Sequence, residues 1–155
     1  MRGWFIFLFP STLFLLMAGC ATRSTLSSSD IEVTQVVEEF GKKLQIVSLL
    51  SPKVAEEISR EYSEFVSSEL LDSWISDPTH APGRIVSSPW PDRIEISSLS
   101  QVSDGEYLVI GEIIEITSSE LVSGGVANTI PVRVTLHRFE GQWRITEFVE
   151  EKVKH

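Results

Sequence analysis

The chain has 155 residues, enough for one domain of ordinary size. Hydrophobic residues make up 42% and charged residues 23%, a globular balance that argues against a disordered chain. The net charge of -9, with no basic stripe, disfavours a nucleic-acid partner, and a single cysteine rules out an intramolecular disulfide or a cysteine-built zinc or iron–sulfur site.

Met1 and Arg2 open the chain with positive charge, and Trp4 to Leu16 follow as an apolar run broken only by Pro10, Ser11 and Thr12. A spanning helix needs about 20 apolar residues. The run from Trp4 to Gly19 is shorter and holds a proline, so the layout reads as an export signal rather than a span. Ala18 and Gly19 place small side chains before Cys20, as a signal peptidase requires.

Leu16-Met17-Ala18-Gly19-Cys20 resembles the lipobox of bacterial lipoproteins. Met17 stands where that family prefers leucine. The resemblance implies that residues 1–19 are removed, and that Cys20 becomes a lipidated N-terminus whose acyl chains, palmitate among them, sit in the membrane. An ordinary secretory signal with an incidental cysteine, or a buried thiol, is the plainer alternative. Two acyl chains anchor stably, whereas one binds only marginally. Losing Arg2 makes the mature chain one unit more negative, so anionic lipid repels it and the acyl group must do the holding. Residues 20–29, rich in serine, read as a flexible tether whose nine linker residues reach about 16 Å. The domain is then residues 30–155.

Ser29 or Asp30 is positioned to cap a first helix, with Glu32 completing a capping box from Ser29. Val33, Val36, Val37, Phe40, Leu44, Val47 and Leu50 recur at helical spacing. Ser51-Pro52 restarts the pattern as a second helix with Val54, Ile58, Tyr62 and Phe65 inward. Ser67 and Ser68 precede a short third helix carrying Leu70, Leu71, Trp74 and Ile75, ended by Asp77-Pro78.

Four prolines and Gly83 between Pro78 and Asp92 argue against a helix or central strand there. The period then becomes two, predicting strands at 93–99, 106–117, 129–139 and 142–149, the last pair joined by Glu140-Gly141 as a tight hairpin. Helices followed by four strands with short links predict an α+β domain: N-terminal helices packed on a curved four-stranded antiparallel sheet.

The phrases "VVEEFGKKLQIVSLLSP" and "YSEFVSSELLDSWISDP", followed by four strands, resemble the cystatin-like cone of the nuclear transport factor 2-like superfamily. That superfamily includes isomerases and dehydratases with a pocket in the cone, domains that only bind, small lipoproteins, and parts of secretion and conjugation machines. No position here matches its catalytic motifs, so the resemblance implies no catalytic residue.

Glu112 shares strand parity with Leu108, Ile110, Ile114 and Ile116, so an inward face would set a carboxylate among aliphatics, where it suits a general base. A bulge at Gly111 would flip that parity and send Glu112 to solvent. Trp90, between Pro89 and Pro91, fits either a contact surface or a plug at the end of the core. Gly124 and Gly125 make the link between the two longest strands mobile, as a docking loop, a lid or a plain hairpin end. His80, His137 and His155 have no metal-ligand spacing, and no nucleotide-binding, hydrolase or zinc motif is present, so neither a metal nor a cofactor is expected.

The sequence therefore predicts a protein held at the exported side of a cell membrane through lipid on Cys20, acting as a non-catalytic binding or assembly module with an envelope protein partner. A small pocket enzyme or apolar-ligand binder using Glu112 is the rival. A structural subunit of a secretion, conjugation or spore envelope assembly is the third reading, resting on fold analogy.

Overall fold

The computed structural model describes residues 27–151. The signal-like run, the lipobox, Cys20 and nearly all of the tether lie outside the described residues. Helix α1 spans Ser28–Lys43 and is capped by Ser27, whose hydroxyl accepts from the Asp30 N–H while the Asp30 carboxylate accepts from the Ser27 N–H. The capping box thus sits two residues earlier than the Ser29–Glu32 pairing predicted from sequence, with aspartate as its third-position acid. The helix also ends earlier than its apolar period. Leu44 and Val47 are fully buried but belong to the turns after Lys43, where Leu49 N–H and Arg84 N–H exchange bonds with Arg84 and Val47 carbonyls. Tertiary burial, not helical continuation, accounts for their spacing.

Helix α2 covers Val54–Tyr62 and α3 covers Ser68–Ser76. Ser51 is not the cap of α2; its hydroxyl accepts from Lys53 N–H and donates to Glu57, which also accepts from Ser48 N–H and so closes the turn before α2. Ser67 does cap α3, accepting from Leu70 N–H. A 3₁₀ turn at Pro78–His80 follows.

Strands β1 (Trp90–Ser103) and β2 (Glu106–Ile116), then helix α4 (Ser118–Ser123), then β3 (Asn128–Phe139) and β4 (Gln142–Glu150) complete the fold. The sheet is an antiparallel meander in the order β1-β2-β3-β4, as the strand pattern predicts. The Glu140-Gly141 turn has both residues at positive φ, the geometry that matches strand twist in a two-residue hairpin. Three irregularities break the register of β1, and its edge position explains why it tolerates Pro91.

The helices cover one face of the sheet. Val33, Val37 and Phe40 of α1, Ile58 and Tyr62 of α2 and Trp74 of α3 meet Ile94, Tyr107, Val109, Ile113, Val132, Val134, Leu136, Trp143 and Ile145 in one buried cluster. Two glycines permit close approach. A Cβ on Gly41 would come within 2.6 Å of the Ile94 nitrogen, and one on Gly111 within 2.5 Å of the Glu95 carbonyl. The α1 helix and β2 therefore press against consecutive residues of β1.

Candidate functional site

Tyr107, Val109 and Ile113 of β2 lie in the core, so Glu112 and the aliphatics of its parity lie on the sheet face turned away from the helices. The parity predicted for Glu112 holds. The bulge predicted at Gly111 does not occur in β2; the register slips on β1, where Ile96 pairs with Gly111 and Ser98 with Ile110. Glu112 is half-buried there, opposite Glu95 on β1 and Pro131 on β3. It borders no space beneath the helices.

That space is filled. The Phe40 ring lies 5.0 Å from Tyr62, 5.5 Å from Phe148, 6.0 Å from Phe65 and 6.2 Å from Trp74, measured between centroids. Tyr62 donates its hydroxyl to the Pro82 carbonyl at 2.8 Å, and Tyr107 donates to Asp30 at 2.7 Å. Burial pushes both phenols above their ordinary value, so near neutrality both remain protonated donors. Trp74 is buried, as its place in the third helix predicts, and so is Trp143 on β4.

The far end of the sheet is built differently. Trp90 opens β1 opposite Ile116, half-buried and outside the core cluster, after a cis Ser88–Pro89 bond. Thr117 and Glu120 then form a capping box that starts α4, with the Thr117 hydroxyl donating to the Glu120 carboxylate. The two hydrogen bonds from Thr117, hydroxyl first, hold the Glu120 carboxyl below its usual value. By its serines and paired glycines this stretch reads as a mobile loop, yet Thr-x-x-Glu is a readable helix start. Gly124 at φ 75 and Gly125 at φ 121 end the helix and return the chain to β3. Leu121 and Val122 on α4 are 67% and 88% exposed, and Val126 beyond it is exposed as well.

This end lies away from the start of α1. The Tyr107–Asp30 bond ties the first turn of α1 to the beginning of β2, whereas α4 follows the end of that strand. At about 3.3 Å per residue, Tyr107 to Ile116 separates the two by about 30 Å.

A groove of about 540 Å³ runs between α1, the link from α2 to α3 and the β3–β4 hairpin, floored by Val36, Phe65 and Trp143. His137 accepts or donates at Nδ1 to the Thr146 hydroxyl and lies 3.9 Å from Glu106; His80 pairs with Asp77. Among the described residues, no three His, Cys, Asp or Glu side chains gather as a metal site, and no helix is long and apolar enough to cross a membrane.

No protein-family model matches the chain, and no curated protein sequence matches it either. Among solved structures it is similar to an Ntf2-like protein involved in plasmid conjugation, with TM-score 0.45 and 13% identity over 94% of this chain; the chain spans about half of that protein, 48%. It is also similar to an NTF-2-like protein of unknown function from Shewanella oneidensis MR-1, with TM-score 0.45 and 10% identity, covering 79% of this chain and 98% of the other. A third is the intermembrane space region of the chloroplast protein ARC6, with TM-score 0.44 and 14% identity over 81% and 97% of the two chains. No residue role is carried across at these identities.

Proposed function

We propose that this protein is a lipid-anchored module of the bacterial cell envelope, tethered through Cys20, that binds or assembles with an envelope protein through its surface. The observation that carries the reading is the pairing of a filled interior with an aliphatic end. Aromatic rings occupy the space beneath the sheet, while α4 presents Leu121 and Val122 to solvent about 30 Å from the start of α1. That end is the one farther from the N-terminal tether. Large exposed apolar patches mark interaction sites, and Leu121, Val122 and Val126 are all exposed within six residues on and after α4. Trp90, at the same end of the sheet, supplies an aromatic anchor of the type found at interface hot spots.

The anchor is tested by fractionating cells that express the full chain or its Cys20→Ala form, with intact mass measured on the membrane fraction. Expected are membrane recovery and a diacylglycerol-plus-acyl mass on the mature wild type, with unprocessed or soluble Cys20→Ala protein. Wild-type protein recovered without lipid mass would overturn the anchor.

A further inference from the structure

We infer that the groove between α1 and the β3–β4 hairpin is a second contact site, and that its occupant is an extended, cationic segment of a partner protein in which lysine or arginine alternates with aliphatic residues. The groove lies beside the first turns of α1, apart from α4, and the inference stands on its own geometry rather than on the lipid anchor.

The floor is apolar, formed by Val36 of α1, Phe65 and Trp143 of β4. Trp143 is only 4% exposed, and its indole N–H has no acceptor among the described residues. Around this floor stand three carboxylates, Glu32, Glu39 and Glu64. Among the described residues on the wall, the cation is Arg144, whose guanidinium donates to neutral acceptors, the Glu64 and Ser63 carbonyls and the Gln142 side chain, so its charge offsets one of the three carboxylates. Among the described residues Glu32 accepts the Ser28 hydroxyl, and the Glu39 pair with Lys42 is exposed, with side chains 47% and 56% accessible. The rim therefore keeps a surplus of negative charge over an apolar trough. Its volume of about 540 Å³ lies within the range that holds a few side chains. Aliphatics on alternate positions of an extended chain would enter the trough, while the long stems of the lysines or arginines between them bend sideways to bring their charges to the rim.

The test titrates the purified full-length protein in detergent with the fluorescein-labelled peptide Lys-Val-Lys-Val-Lys, read by anisotropy, beside Glu-Val-Glu-Val-Glu and Lys-Ser-Lys-Ser-Lys. Saturable binding is expected for the first peptide only. Reversing Glu39 and Glu64 together (Glu39→Lys, Glu64→Lys) should weaken it by about tenfold or more, whereas Glu147→Lys, an exposed acid outside the groove, should leave it unchanged. The neutral pair Glu39→Gln and Glu64→Gln should give a smaller loss, and circular dichroism melts check that each variant is folded. Absence of saturation, equal binding of the Lys-Ser peptide, or an equal loss in Glu147→Lys would overturn the site.

Discussion

Asp30 accepts from the Ser27 N–H and the Tyr107 hydroxyl, so one carboxylate closes the cap of α1 and ties that helix to β2. These bonds, the backbone one first, hold its carboxyl below the usual value; Glu57 is held low by the Ser51 hydroxyl and Ser48 N–H, and Glu61 by Arg60 and Lys43. A depressed folded pKa contributes stability above the unfolded value of about 4, lost as pH falls through the lower folded value. The melting temperature should therefore drop on acidification below about pH 4, and Asp30→Asn should flatten that limb while lowering the neutral plateau. An unchanged acid limb in the variant would remove Asp30 from the account. At Gly111 the opposing carbonyl of Glu95 leaves no room for a methyl group. Gly111→Ala should cost about 1–3 kcal/mol in urea denaturation, the usual penalty of forced overpacking.

At the scale of elements, the caps carry measurable weight. Ser67→Ala removes the acceptor for Leu70 N–H at the start of α3 and should cost about 1 kcal/mol. Gly124→Ala places a Cβ at φ 75 and should fray α4, seen as faster amide exchange over 118–123 with little change in global stability. Much of this organisation was legible beforehand. The helical period located α1, α2 and α3, Ser67 announced its helix, and alternation located four strands in meander order, giving the α+β layout. The limits of α1 were not legible, because Leu44 and Val47 are buried by turns that keep a helix-like spacing. Nor was the side on which Glu112 lies. Parity tells which residues share a face of a strand, but which face the helices cover depends on packing between distant segments. The groove escaped for the same reason, since Val36, Phe65 and Trp143 come from three separated elements.

For the molecule as a whole, the helices and the sheet of the α+β body close on a core packed with aromatic rings, and both proposed contacts lie on its surface. The acidic chain supplies charge for the groove beside α1, and α4 exposes a separate apolar surface in Leu121 and Val122. Val122 is almost fully exposed, so Val122→Asp should change folding stability by less than about 0.5 kcal/mol while disturbing any contact made there. The most direct measurement is photo-cross-linking in living cells with a photoreactive residue at position 121, in the full chain and in its Cys20→Ala form. The account predicts one dominant envelope-protein adduct that is lost with Cys20→Ala and with Val122→Asp placed beside the probe at a neighbouring α4 position. No adduct above background in the lipidated protein, or the same adduct irrespective of Cys20 and Val122, would contradict it.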